Sequence, residues 1–157
     1  MSLPQSIKKI VVTALSSNFR KAVELQTTSL PKLQAGCVLV KNRFVGINAS
    51  DINFTSGKYF SDGTAPPFDA GFEALSEVVA VGDGVSEKLL GKPIAHMTFG
   101  AFSEYQVLSS KSLLPVPELK PEYLPLLVSG MTAKLALDEC GELKPGEKVL
   151  MIIYNKV

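Results

Sequence analysis

Short apolar stretches rich in β-branched residues, some of them alternating with polar positions, mark the first two thirds of this chain. Residues 7–13 and 38–45 are rich in β-branched side chains and bounded by Pro, Gly and Ser, which predicts strands. Residues 19–27 alternate weakly around Ala22, Val23 and Leu25, residues 77–81 run into Gly82-Asp83-Gly84, and residues 101–108 alternate again. These predict further strands joined by tight turns. The Pro-rich residues 114–121 then break the pattern, because proline has no amide hydrogen for a ladder, and predict a connector.

Beyond the connector the period changes. Val128, Met131 and Leu135 fall at i, i+3 and i+7, predicting a helix over residues 129–139 with Gly141 as its C′ residue. Lys144-Pro145-Gly146-Glu147 turns the chain into residues 148–153, an almost wholly apolar run suited to a strand buried on both faces of a parallel sheet. One such strand without partners reads as the opening of a second domain, so residues 1–120 form one domain and residues 121–157 a connecting helix and the truncated start of another.

Composition narrows the classes. The chain has 157 residues, 46% apolar and 20% charged, with a formal charge of +1 and scattered basic residues, which argues against a nucleic-acid partner. The longest apolar runs fall well short of the ~20 residues of a bilayer span, and the N-terminus lacks a leader pattern. An intracellular, cytoplasmic chain is expected. Cys37 and Cys140 are too far apart for a metal pair and read as buried thiols.

The candidate chemistry lies at residues 48–59, where two amides, a carboxylate, three hydroxyls and a phenol come directly after an apolar strand. By themselves they read as a polar loop with Asx turns. Glu73, flanked by Phe72, Ala74 and Leu75, should be partly buried and need a donor, as a structural or a site residue. His96 is the single histidine and reads as structural.

Asn48-Ala49-Ser50-Asp51-Ile52-Asn53, Pro66-Pro67-Phe68-Asp69 with Gly71-Phe72-Glu73, Gly100-Ala101-Phe102-Ser103-Glu104-Tyr105 and Ser129-Gly130-Met131-Thr132-Ala133 carry a resemblance across about residues 7 to 150. In order and spacing they resemble the medium-chain dehydrogenase/reductase superfamily, on its quinone-oxidoreductase branch. The resemblance implies a mainly β, GroES-like partial barrel of the alcohol dehydrogenase type that binds substrate, here with a C-terminal helix and one orphan strand. It implies a second, Rossmann domain for NADPH, whose glycine-rich turn should come after residue 153. Since Tyr154-Asn155-Lys156-Val157 stands there instead, the Rossmann domain is expected to be absent and NADPH affinity nearly lost.

The function implied is zinc-independent, NADPH-dependent reduction of enones or quinones, of the 15-oxoprostaglandin 13-reductase kind, with the chain inactive alone. Zinc alcohol dehydrogenases carry cysteine in place of Asn48 and histidine in place of Phe72, so no metal is expected. Ser76 stands where glycine is usual, and Asn53 where some relatives have a tyrosine. The resemblance places Asn48 and Tyr59 against the nicotinamide and the substrate carbonyl, where amide and phenol would donate to a developing enolate. Asp51 and Thr132 would line the same cleft, Thr132 near the nicotinamide ribose. Two other functions stay open: a non-catalytic module binding a hydrophobic ligand or partner, and a truncated product without function. An exposed apolar C-terminal surface would favour self-association, and the peroxisomal ending of some relatives is lacking.

Overall fold

The computed structural model describes residues 3–60 and 63–150. The first β-branched run forms β1 (Ser6–Val12), the middle strand of a three-stranded sheet. On one side it pairs antiparallel with β2 (Val23–Ser29), from Ser6 opposite Ser29 to Val12 opposite Val23, and on the other with a two-residue β4 (Phe68–Asp69). Residues 19–27 are not strand throughout. A single helical turn, α1 (Phe19–Ala22), comes first, because the amides of Lys21 and Ala22 both close onto Asn18 O and bury Ala22.

The second sheet has five antiparallel strands in the order β7-β3-β5-β6-β8. They are β3 (Cys37–Val45), β5 (Ala74–Val81), β6 (Pro93–His96), β7 (Tyr105–Ser109) and β8 (Leu114–Pro115). Val38, Leu39 and Val40 are all buried, so β3 is covered on both faces. The β3/β5 register shifts twice, and the second shift leaves Arg43 unpaired between Asn42 and Phe44. A bulge of this kind bends the strand and re-aims the residues beyond it. Here those residues form the loop carrying Gly46 and Asn48.

Three expectations change at this sheet. Gly82-Asp83-Gly84 makes a local turn, Val85 N to Gly82 O at 3.1 Å, but residues 82–92 separate β5 from β6, so no tight hairpin joins them. Residues 101–104 are not part of β7. They cross between the sheets, with Ile10 N donating to Phe102 O at 2.8 Å and Lys9 bridging Ser103. The Pro-rich segment is not free of β structure either: Leu114 and Pro115 pair with Ala95 and Ile94. Proline is accommodated because β8 is an edge strand, where its missing donor faces away from the ladder.

One buried cluster, Val38, Val40, Val78, Ile94 and Leu108, fills the five-stranded sheet, and a second, Val12, Ala22 and Ala70, lies under the smaller one. In the third, Leu75 and Ala95 meet Leu127, with Leu119, Tyr123 and Leu124 around them. The connector therefore folds back over β5 and β6 and delivers α3 (Val128–Leu135) to the end of the sheet. The helix continues through one wider turn at Ala136–Cys140. Gly141 ends it in a right-handed conformation, φ −90°, and it is Glu142 that takes the positive φ of 46°. Gly141 is therefore not the left-handed C′ residue its position suggests. Residues 148–150 have no regular structure, and the rest of the strand expected over 148–153 lies outside the described residues.

Cys37 is half-buried and Cys140 exposed, against the expectation of two buried thiols, because Cys140 ends a helix that no sheet covers. His96 is fully buried. Its Nε2 lies 3.4 Å from Asn42 Oδ1, which also accepts from Ser76 Oγ at 2.7 Å, and burial lowers its pKa to about 4. Asn42 Nδ2 in turn donates to Ala101 O and Ser103 O. His96, Ser76 and Asn42 thus form a buried polar knot that pins the crossing segment, in keeping with a structural histidine.

Candidate active site

Asn48 begins a helix rather than a loop. It is the N-cap of α2 (Ala49–Thr55), and Asp51 at the third helical position accepts from the Asn48 backbone N–H at 2.7 Å. The capping pattern, a cap residue with a carboxylate three positions later, was the signal available in the sequence. Asp51 is only 4% exposed. Burial raises its pKa, the Asn48 N–H opposes that, and the charge of Glu73 adds to the rise.

Glu73, also 4% exposed, joins three segments that are distant in sequence. Its Oε1 accepts from Asn48 Nδ2 at 2.7 Å, and its Oε2 from the backbone N–H of Val128 at 3.0 Å, at the start of α3. Room for this carboxylate comes from Gly46, where a Cβ would lie 1.9 Å from Oε1. The amide of Asn48 therefore gives its NH2 group to Glu73 and turns Oδ1 towards Ser129, whose hydroxyl donates at 3.5 Å. Thr132 is exposed on α3, one turn beyond Val128.

Tyr59 lies just past α2 and is 52% exposed. Its hydroxyl oxygen accepts from Asn53 Nδ2 at 3.0 Å, and its ring packs edge-on against Phe54 at 4.8 Å. Phe54 is the hub of an aromatic cluster, with Phe99 at 4.9 Å, Phe72 at 5.8 Å and Phe60 at 5.9 Å between centroids. Beside it is a cavity of ≈ 430 Å³ lined by Phe54, Phe60, Thr64, Phe68, Asp69 and Phe99. Tyr59 is not among its lining residues and meets it through Phe54; a ring-lined space of this kind suits a planar apolar ligand. A larger cavity of ≈ 590 Å³, lined by residues including Ile10, Phe19, Leu25, Val45, Ile52 and Phe102, reaches Asp51 but none of Asn48, Tyr59, Glu73 or Thr132.

Two groupings of the expected site residues result. Asn48 and Asp51 meet through the helix cap, and Glu73 ties Asn48 to the helix that carries Thr132. Tyr59 belongs with Asn53 and the phenylalanines at the other end of α2. The aromatic cluster and the Asn53–Tyr59 pair were not legible from spacing, because Phe99 is 45 positions from Phe54 in sequence. Position 72 holds a ring packed on Phe54 and Phe99, and among the described residues no group of three or more His, Cys, Asp or Glu side chains could hold a metal ion. Nor is any helix among them long and apolar enough to cross a membrane.

The alcohol dehydrogenase GroES-like domain family matches residues 34–118, which hold β3, α2, Tyr59, Glu73 and the aromatic cluster. Over 152 residues the chain is 49% identical to prostaglandin reductase-3 of Mus musculus, covering 96% of this chain and 40% of that one. It is 43% identical over 152 residues to the "Probable quinone oxidoreductase" of Leishmania amazonensis, with 96% and 44% covered. Among solved structures, Escherichia coli quinone oxidoreductase complexed with NADPH superposes with a TM-score of 0.78 at 22% identity, over 89% of this chain and 43% of that one. The chain thus spans about two fifths of the length of the curated relatives it matches. By fold and sequence it belongs to the alcohol dehydrogenase GroES-like domain family.

Proposed function

We propose that this chain is the substrate-binding half of a zinc-independent, NADPH-dependent reductase of enones or quinones, with residues 1–120 as its substrate domain and the segment beyond as the link to a cofactor domain. One observation carries the reading: the Tyr59 hydroxyl is oriented by Asn53 at 3.0 Å, and its ring packs on Phe54, which lines an aromatic-walled cavity. A phenol that accepts from an amide keeps its own proton to donate. Directed at a substrate carbonyl, that proton stabilises the negative charge that grows on oxygen as the conjugated carbon is reduced. NADPH, when bound, supplies the hydride. Asn48 and the exposed Thr132 are the groups of this chain that would hold its nicotinamide end, Asn48 through Oδ1 and Thr132 through its hydroxyl. Phe54, Phe60, Phe68 and Phe99 exclude water and align a flat substrate. On this reading the chain by itself lacks turnover.

Joined to the C-terminal three fifths of the mouse relative, the chain should oxidise NADPH with a planar quinone or an aryl enone, and the isolated chain should not. A folded fusion that binds NADPH yet reduces neither class would overturn the assignment. A second reading, capture of an apolar ligand without chemistry, is favoured by the ≈ 590 Å³ cavity between the sheets. Retention of a fluorescent fatty acid by the isolated chain, lost on Phe102→Asp, would support it.

A further inference from the structure

We propose that Glu73 is a positioning residue that fixes which way the Asn48 amide faces, so that the group Asn48 presents to a ligand is its carbonyl oxygen. A ligand atom meeting it must then be a hydrogen-bond donor, such as a primary carboxamide N–H or a hydroxyl. This deepens the reductase reading, and rests on it for the identity of the ligand though not for the geometry.

Donors and acceptors decide the orientation. An ionised carboxylate has only acceptors, and an asparagine amide has donors on one side and an acceptor on the other. With Glu73 Oε1 at 2.7 Å from the amide, the NH2 side must face Glu73, and Oδ1 is left facing Ser129. The second oxygen of Glu73 is held by the Val128 N–H at 3.0 Å, so the carboxylate cannot rotate away without losing a backbone partner. Two further observations make this a built arrangement. Gly46 leaves the volume that the carboxylate occupies, and Gly46 N also donates to Glu73 O at 3.1 Å. The same carboxylate thereby sets Asn48 and the first turn of α3, which carries Thr132, in one frame. One N–H of Asn48 is thus committed to Glu73 and its acceptor faces Ser129, with Tyr59 as the donor we assign to the substrate.

Glu73→Gln changes the chemistry with little change of shape. The new side chain has one acceptor and one donor end, so it cannot accept from both Asn48 and Val128. If its carbonyl takes either N–H, its NH2 faces the other donor. The relaxed state keeps the Val128 bond weakened and turns the Asn48 amide over, so that Asn48 Oδ1 accepts from the glutamine. In the full chain labelled with nitrogen-15, the Asn48 NH2 protons should show contacts to the Glu73 methylenes, and in Glu73→Gln those protons should instead show contacts to the Ser129 methylene. The Val128 amide should exchange with solvent at least tenfold faster, while the β5 amides of Leu75 and Val78 keep their protection. Gly46→Ala, which displaces the carboxylate without altering its charge, should also accelerate Val128 exchange tenfold or more, and carries the test if Glu73→Gln does not fold. An Asn48 amide with unchanged contacts in Glu73→Gln would overturn the proposal. So would exchange at Val128 that rises only together with β5 in the variants, the result for a residue that merely holds the fold. Inactivity of the fusion with the mouse relative's C-terminal part would sink the reductase reading and leave this result standing, so the two failures are distinguishable.

Discussion

Asn53 donates its side-chain amide to the hydroxyl oxygen of Tyr59 at 3.0 Å, across one and a half turns of chain that begin inside α2 and end beyond it. The bond orients the phenol and leaves its proton unused. Removing the donor frees the ring to swing about its contact with Phe54. In the fusion enzyme, Asn53→Ala should therefore lower kcat about three- to tenfold, on the order of 1 kcal/mol, as expected for loss of a neutral hydrogen bond. Asn53→Asp should be equally or more harmful, since a carboxylate would claim the tyrosine proton for itself. Steady-state kinetics on the two variants check this, and wild-type kcat in both would show that Asn53 does not orient the phenol.

The buried histidine makes an acid limb. Because His96 is neutral in the fold with a pKa of about 4, against 6.5 when unfolded, the unfolded chain binds a proton between those values that the native state refuses. The contribution is fully present above pH 6.5 and is lost as pH falls towards 4, amounting to about 3 kcal/mol. Asp51 works the other way, since its raised pKa lets the native state take up a proton sooner on acidification and offsets part of the loss. Urea unfolding at pH 7.5 and pH 4.5 should show the decline, and His96→Gln, which cannot titrate, should show a shallower one despite a lower stability at pH 7.5. Equal slopes for the two proteins would rule out His96 as the cause.

Helix α3 and the segment after it leave large apolar side chains in water: Met131 is 45% exposed, Leu135 56% and Leu150 83%. Surface of this kind promotes association. The isolated chain should bind the dye ANS and self-associate at tens of micromolar, and Leu135→Lys with Leu150→Lys should reduce both. Sedimentation velocity decides it, and a dye-silent monomer before substitution would show that these side chains are covered.

Much of this arrangement was legible in the sequence, for physical reasons that also mark where legibility stopped. β1, β3 and β5 are apolar runs rich in β-branched residues, and the helix after residue 127 spaces Val128, Met131 and Leu135 at helical intervals, so the local pattern determines them. β4, β6 and β8 are two to four residues long and exist because a neighbouring strand offers unpaired groups, as Ile94 and Ala95 do for Pro115 and Leu114. No window of sequence contains that information. At the site, the resemblance carried Asn48, Asp51, Tyr59 and Thr132, but donor and acceptor directions depend on partners elsewhere in the chain. Asn48 by itself leaves both ends of its amide open, and Glu73, 25 positions away, takes an N–H from one of them. The helix at residues 49–55 was encoded locally by Asn48 and Asp51, and a polar composition hid it.

Central to the proposed function is Tyr59 as donor of a proton or hydrogen bond to a substrate carbonyl as charge develops on its oxygen. The most direct measurement is steady-state quinone or enone reduction by the fusion enzyme with and without Tyr59→Phe, with NADPH saturating. Loss of the hydroxyl should lower kcat by about ten- to a thousandfold, roughly 1.4 to 4 kcal/mol of transition-state stabilisation, with far less change in KM because the ring still packs on Phe54. An unchanged kcat, or a change confined to KM, would contradict this role and leave Tyr59 as part of the aromatic wall.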